Sequence, residues 1–457
     1  MDSMSVAVVG AGYVGLTTGV CLAYVGHRVS IVEIDDEKVA TLRAGQSPIH
    51  EDGLEELMHD ASSRLSYSTS TDEAVPEADV ILIAVGTPCR QSGQADNRFV
   101  ESAVRQVSSS LQPDRAYTLV VKSTVPVGSN RRVAHLLHSV LSERGLDVQI
   151  AVRVASNPEF LREGTALQDM LYPDRIVIGS SDPKSTDILH RLYQPILEQT
   201  FVAPLSVPRP DSYELPPLVT TDPISAELIK YAANAFLAMK ISFINEVAGL
   251  CERVGGSITE VARGMGLDSR IGPRFLRAGL GWGGSCFPKD TAALVAMGKE
   301  LSCPMKLVEA TREVNAAQRR RLVERLQQEL KGLRGRVVGV LGLSFKPGTD
   351  DVRESPALEI VRALVDREAH VRVHDPVAME NARFELEGVA VEFASNALEL
   401  ATGADAIVLA TEWPEYRAID LHRLAEGMRI RVLMDARNQF DQAQAVAAGF
   451  RYLAVGR

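Results

Sequence analysis

VAVVGAGYVG, residues 6–15, sets the architecture: a β-branched run at 6–9, the loop Gly10-Ala11-Gly12-Tyr13-Val14-Gly15, then a helical pattern through Tyr24. Strand, GxGxxG turn and helix in that order form a dinucleotide-binding fingerprint. The first glycine permits the tight turn, the second lets backbone amides approach a pyrophosphate, and the third lets helix pack on strand. Tyr13 and Val14 complete the candidate cofactor loop. Residues 28–34 read as a second strand carrying Glu33, at the offset where a carboxylate accepts bonds from adenosine ribose hydroxyls and repels a 2′-phosphate. That selects NAD over NADP, with Asp35 a competitor for the role and Arg28 or Lys38 able to soften the discrimination.

Further strands follow. The apolar run 78–85 stops at Gly86-Thr87-Pro88, and 117–121 stops at Lys122-Ser123-Thr124-Val125-Pro126. Ligands in open parallel sheets gather beyond the carboxyl ends of strands, which places Thr87 and Thr124 beside a cofactor or substrate. Thr124 also reads as a simple turn hydroxyl. A strand at 152–155 leads into SNPEFLREG, residues 156–164, where Glu159 and Glu163 share a face if the segment is a helical turn. Such a pair is either a solvated face or catalytic support around a cation. Residues 174–179 then close the first sheet.

Residues 203–217 hold five prolines and read as a surface excursion. After them a long helix is predicted over 225–254, with Gly249 its only weak point. At ~1.5 Å per residue it spans about 45 Å, enough for a spine between domains or a dimer seam. Lys230 and Asn234 lie four apart on it. The lysine either snorkels to the surface or aims a cation into a cleft.

Residues 270–290 read RIGPRFLRAGLGWGGSCFPKD. Glycines this dense imply sharp bends or very close approach to another molecule, and a ligand pressed on the main chain fits. If Pro288 opens a helix, Cys286 and Asp290 face the same way across its first turn. The helix N-terminus and Lys289 would both favour thiolate. The alternative is an inert buried cysteine.

A third segment begins near Arg334 with a strand at 335–343, a polar loop at 344–355, a helix from Pro356 and a strand at 370–374. This βαβ order echoes the first domain without the full fingerprint. Its loop FKPGTDDVR, residues 345–353, offers two cations and an aromatic ring, which suits a nucleotide diphosphate and its base. Later strands are predicted at 406–410 and 432–434.

A chain of 457 residues suggests about three domains on a prior of about 150 residues each. The formal net charge of -10 argues against nucleic-acid binding and for small-molecule partners. Five widely spaced cysteines without a CxxC pair indicate neither a disulfide framework nor a metal site, and point to a cytoplasmic home. Residues 6–26 are uncharged and long enough to span a bilayer, but they hold five glycines. The leader Met1-Asp2-Ser3-Met4-Ser5 carries no positive charge, which argues against a signal peptide.

Taken in order, the fingerprint, KSTVPVG, SNPEFLREGTA, LIKYAANAF, GGSCFPKD and FKPGTDDVRES resemble the UDP-glucose/GDP-mannose family of nucleotide-sugar dehydrogenases over nearly the whole chain. Within it, FLRAGLGWGGSCFPKD is most similar to the UDP-glucose 6-dehydrogenases; GDP-mannose and UDP-N-acetylhexosamine dehydrogenases are the alternatives. The resemblance implies an α/β chain: an NAD-binding Rossmann domain at 1–215, a central helical and dimerisation domain with a long spine helix at 216–325, and a Rossmann-like UDP-sugar domain at 326–457. It implies two-step oxidation of the UDP-glucose C6 alcohol to a carboxylate with two NAD. Cys286 would pass through a thiohemiacetal and a thioester, with Lys230 and Asn234 stabilising the oxyanion.

On the same resemblance Asp290, Thr124 and Glu159 handle protons or orient water, the base unassigned, and Glu163 orders the water network. Glu159, Phe160, Leu161, Phe275, Leu276, Gly283, Phe345, Lys346 and Arg437 match substrate positions, with Lys230 and Asn234 beside them. Arg270 would reach a neighbouring subunit's site. Thr87, Thr124, Glu163, Lys38 and Arg353 match the cofactor side, and no metal is implied. His50-Glu51-Asp52-Gly53-Leu54 departs from the family's usual Tyr-Glu-Pro-Gly-Leu. Two other hypotheses are a one-step β-hydroxyacid dehydrogenase and a sensor that binds without turnover. Two NADH per sugar nucleotide, with Cys286→Ser stopping before the acid, separates the first reading from both.

Overall fold

The computed structural model describes residues 3–90, 93–146 and 151–457; Met1 and Asp2 of the leader lie outside them. The chain divides into two compact units, Met1–Ala232 and Ala233–Arg457.

Runs of β-branched and aliphatic residues build the first unit's sheet from β1 (Ser5–Val9), β2 (Arg28–Val32), β3 (Leu65–Ser68), β4 (Val80–Ile83), β5 (Ala116–Val121), β6 (Ala151–Ser156), β7 (Ile176–Gly179) and β8 (Leu218–Thr221). Their order is β3-β2-β1-β4-β5-β6-β7-β8. Alternate residues of β1 feed two cores: Val6 and Val8 pack with Leu16 and Ile31, whereas Ala7 and Val9 pack with Ile81 and Val104. Both faces are therefore covered, as a doubly wound sheet requires. The order reverses between β1 and β4, and a crevice for ligand opens at such a switch point.

The sheet does not close at 174–179. The strand β7 meets β6 antiparallel at Ser156 and Gly179, and β8 adds a further parallel strand outside it. Ala226 lies against Gly179, where a Cβ would stand 2.4 Å from the Ala226 methyl. A strand of four residues straight after a proline-rich excursion carries no periodicity that sequence reading can use.

The spine helix is Pro223–Val254, 32 residues and about 48 Å long. The division between the units falls within it, so Lys230 belongs to the first unit and Asn234 to the second.

In the second unit β9 (Val337–Leu341), β10 (His370–His374), β11 (Val391–Phe393), β12 (Ala406–Leu409), β13 (Val432–Asp435) and β14 (Arg451–Ala454) are all parallel. Their order, β11-β10-β9-β12-β13-β14, repeats that of the first six strands of the first sheet. The α/β class with two Rossmann-like sheets and a long spine helix is thus borne out. Ile244 and Ala248 of the spine and Leu322 and Leu326 of the helix Lys306–Glu329 share one core with Val338, Val340 and Ile360. Among the described residues no helix is long and apolar enough to cross a membrane. The uncharged run 6–26 is instead β1 and the buried helix Tyr13–Tyr24.

Candidate active site

The glycine loop has the geometry its spacing implies. Gly10 adopts φ +103°, and a Cβ there would stand 2.8 Å from the Ala84 carbonyl oxygen. A Cβ at Gly15 would lie 1.9 Å from the Gly10 oxygen, so helix and strand touch only because it is absent. At Gly12 a Cβ would meet no protein atom within 4 Å, which leaves that side of the loop open to a pyrophosphate at the helix N-terminus. Glu33 accepts the Ala11 N–H at 2.9 Å and stays half-buried at the end of β2. Its competitor Asp35 caps the next helix, accepting from the Glu37 and Lys38 N–H groups. Of the two acids, Asp35 is thus committed to a helix cap and Glu33 to the glycine loop. Lys38 is exposed on that helix, Thr87 is buried beyond β4, and Thr124 is half-buried beyond β5.

Behind the carboxyl ends of β5 and β6 charged side chains meet out of solvent. Lys230 Nζ lies 2.8 Å from Glu159 Oε1, the side chains 4% and 6% exposed. The snorkelling alternative for Lys230 is excluded. Burial pushes the Glu159 carboxyl up, but Lys230, the Leu161 N–H and Lys122 outweigh it and hold it below its ordinary range. Phe160 lies between two cations, 5.5 Å from Lys230 Nζ and 3.6 Å from the Arg175 guanidinium.

Residues 157–162 form no helix, so Glu159 and Glu163 do not share a helical face. Pro158 disfavours helix at Asn157. The helix starts only at Ala166, where Glu51 accepts the Gly164 and Ala166 N–H groups, each at 2.6 Å. Glu163 stays half-buried in the turn. Glu51, part of the departing HEDGL segment, is thus a loop anchor that sequence reading missed.

Lys122 was also missed as a site residue, although a lysine closing the apolar strand YTLVV is a signal. Its Nζ donates to Asn157 Oδ1 at 3.1 Å, and Tyr193 donates to the same oxygen at 2.6 Å. Burial pushes Lys122 from its ordinary 10.5 down to about 8, against the pull of Glu159. Between about pH 8 and 10 the unfolded chain binds this proton and the folded one does not, so this group makes stability rise with pH there. Urea midpoints of the wild type are expected to climb over that window relative to Lys122→Gln. Parallel pH courses in the two proteins would refute the assignment. Glu227, three residues before Lys230, accepts the Gly128 and Asn130 N–H groups at 2.6 and 2.8 Å and so fixes the loop that carries Thr124.

In the second unit Cys286 caps the helix Phe287–Glu300, with Pro288 in its first turn, as the sequence predicts. The Asp290 N–H bonds the Cys286 carbonyl at 3.0 Å. Asp290 is 1% exposed; its Oδ2 accepts from Asn234 Nδ2 at 2.6 Å and its Oδ1 from Lys289 Nζ at 2.5 Å. Lys289 is therefore paired with Asp290, and Cys286 stands at the helix N-terminus, where the backbone dipoles favour negative charge. Ser285 Oγ lies 3.6 Å from Cys286 Sγ.

The glycine density before Cys286 answers to the protein's own chain. A Cβ at Gly281 would stand 2.2 Å from Asn315 Oδ1, at Gly283 2.1 Å from the Glu354 oxygen, and at Gly284 2.7 Å from the Phe345 ring. Trp282 is held by Asn315 on both its N–H and its carbonyl, and its indole donates to Ser242 of the spine. Phe275 takes a left-handed φ of 64°, whereas Leu276 is 3% exposed within the core, so its side chain is packing. Arg270 pairs with Asp268 on the surface.

Beyond the carboxyl ends of β9, β12 and β13 the remaining candidates converge. Arg437 donates to the carbonyls of Ala410 and Phe345 and pairs with Glu412 at 3.0 Å. Lys346 Nζ lies 5.5 Å from the Phe345 ring. Arg353 is bonded twice to Asp351, which narrows its role toward a ligand, and its carbonyl accepts the Gly284 N–H.

Two sheets of Rossmann strand order, the first carrying an open glycine loop, are the frame of a dinucleotide-dependent enzyme. Residues 4–197, 224–317 and 339–442 match the UDP-glucose/GDP-mannose dehydrogenase family's NAD binding, central and UDP binding domains. The chain belongs to that family of NAD-dependent nucleotide-sugar dehydrogenases.

It is 46% identical to the UDP-glucose 6-dehydrogenase of Rhizobium meliloti over 99% of this chain and 100% of that one. It is 42% identical to the UDP-glucose 6-dehydrogenase YwqF of Bacillus subtilis over 99% and 98%. A solved UDP-glucose dehydrogenase from the hyperthermophilic archaeon Pyrobaculum islandicum superposes with a TM-score of 0.87 at 41% identity, covering 100% of this chain and 98% of that one.

Proposed function

We propose that this enzyme oxidises the C6 alcohol of UDP-glucose to the carboxylate of UDP-glucuronate, consuming one water and reducing two NAD. The observation that carries the reading is Cys286 at a helix N-cap, with Asp290 and Asn234 bonded to each other one turn along. A one-step dehydrogenase has no use for a thiol so placed.

Gly10, Gly12, Gly15 and Glu33 fit NAD: the loop is open at Gly12 and the acid stands at the end of β2. Bound NAD supplies a hydride acceptor for each of the two steps. Lys230, paired with Glu159, offers an N–H to the oxyanion at C6, and Asn234, one turn on, adds a neutral donor. Cys286 sulfur adds to the C6 aldehyde, and the thioester left after the second oxidation is cleaved by water. Phe345, Lys346 and Arg437 hold the nucleotide end. In this division residues 1–215 bind NAD, 216–325 supply the thiol and the subunit contact, and 326–457 bind the UDP-sugar.

Testing UDP-glucose, GDP-mannose and UDP-N-acetylhexosamines for NADH formation decides the substrate. UDP-glucose is expected to have the highest kcat/KM, and a preference for either of the others overturns this choice.

On this reading the enzyme acts in the cytoplasm as a homodimer or larger homo-oligomer. Phe236, Phe243 and Leu250 lie seven residues apart on the spine helix and are 57%, 48% and 60% exposed, an apolar stripe suited to a second copy. A Phe236→Glu, Phe243→Glu variant is expected to sediment as a monomer. Retention of the wild-type sedimentation coefficient would count against the seam.

A further inference from the structure

The two sheets match bond for bond where each first strand meets its glycine. The Gly10 N–H bonds the Val32 carbonyl at 2.8 Å, and the Gly342 N–H bonds the His374 carbonyl at 2.8 Å. Both glycines have positive φ, 103° and 91°. The Ala84 N–H bonds Val9, and the Ala410 N–H bonds Leu341, again at 2.8 Å each. The next residue's N–H then reaches an acid: Ala11 to Glu33 Oε2 at 2.9 Å, Leu343 to Asp375 Oδ2 at 2.7 Å. Asp375 is therefore the positional counterpart of Glu33.

Its environment is the opposite of Glu33's. Asp375 is 1% exposed, and it accepts the N–H groups of Leu343, Ser344, Val377 and Ala378 together with the Trp413 indole N–H at 3.0 Å. Counting from Ala84 and Ala410, Trp413 takes the place that Thr87 holds in the first sheet. An indole thus covers the acid where the first sheet has a small hydroxyl residue. The same cluster grips the loop above β9. The Ser344 carbonyl accepts from Thr411 at 2.6 Å, and its hydroxyl donates to the Lys346 carbonyl at 2.9 Å.

We infer that the second sheet is a closed copy of the first sheet's cradle, in which Asp375 and Trp413 form an internal clamp that positions Phe345 and Lys346 for the UDP group. Asp375 is a positioning residue that touches no ligand. The inference rests on the reading of residues 326–457 as the UDP-sugar segment.

The test is UDP binding by calorimetry, with KM for NAD and UDP-glucose, in wild type, Asp375→Asn and Trp413→Phe. Asp375→Asn is expected to weaken UDP binding and raise the UDP-glucose KM by about tenfold while the NAD KM stays within about twofold, because only one loop loses its anchor. Trp413→Phe, which keeps most of the packing, is expected to weaken UDP binding by about threefold and decides the matter if Asp375→Asn does not fold. UDP affinity unchanged in either folded variant, or NAD and UDP parameters moved by one common factor, overturns the clamp. A wild type that binds no UDP overturns the underlying reading instead.

Discussion

Replacing Cys286 by alanine is expected to lower UDP-glucuronate formation by about a thousandfold or more, while one NADH per sugar nucleotide can still form. A free aldehyde has no tetrahedral adduct of its own from which a second hydride can leave. Sulfur supplies one, because the thiohemiacetal places oxygen and hydrogen on the same carbon, and its oxidation gives a thioester that water cleaves. The N-cap position of Cys286 favours negative charge on the sulfur before attack. The rival adduct is the aldehyde hydrate. Chromatography of the product distinguishes them: an alanine variant making acid at the wild-type rate would show that the hydrate is oxidised and that Cys286 is a spectator.

Lys230→Met should separate rate from stability. Loss of the ammonium removes the donor proposed for the C6 oxyanion, for which about a hundredfold to a thousandfold in kcat is expected. It also strips Glu159, 6% exposed at the side chain, of its ion-pair partner, and breaking a buried pair in this way costs about 3–5 kcal/mol. Adding Glu159→Gln to that variant removes the carboxylate's charge. The double variant is expected to regain most of the stability and none of the rate, as read from urea midpoints and steady-state kinetics. A single variant that kept the wild-type kcat would remove Lys230 from the chemistry.

What could be read from the sequence was what local geometry forces. A GxGxxG turn between strand and helix has few physical solutions, and the structure uses glycine at Gly10 and Gly15 for the reasons their spacing implies. The choice between Glu33 and Asp35 was open, yet Asp35 stands two residues before Glu37 at the head of a helix, and it is spent on that cap. The glycines before Cys286 signalled close approach without naming the neighbour. The neighbours, Asn315, Phe345 and Glu354, come from far along the chain.

Long-range pairing hid the rest. Nothing near Glu159 in sequence announces Lys230, and nothing near Glu51 announces Gly164. Reading Glu159 and Glu163 as one helical face failed because tertiary bonds at Glu51 and Lys230 override what local spacing allows. The strand β8 was lost for a similar reason, since a four-residue strand is defined by its partner β7 more than by its own pattern.

Oxidation of UDP-glucose to UDP-glucuronate takes four electrons from one carbon. With UDP-glucose limiting and NAD in excess, the NADH released per sugar nucleotide consumed measures this directly. Two NADH, with UDP-glucuronate as the sole product, is the result expected; one NADH, with an aldehyde left in solution, contradicts it.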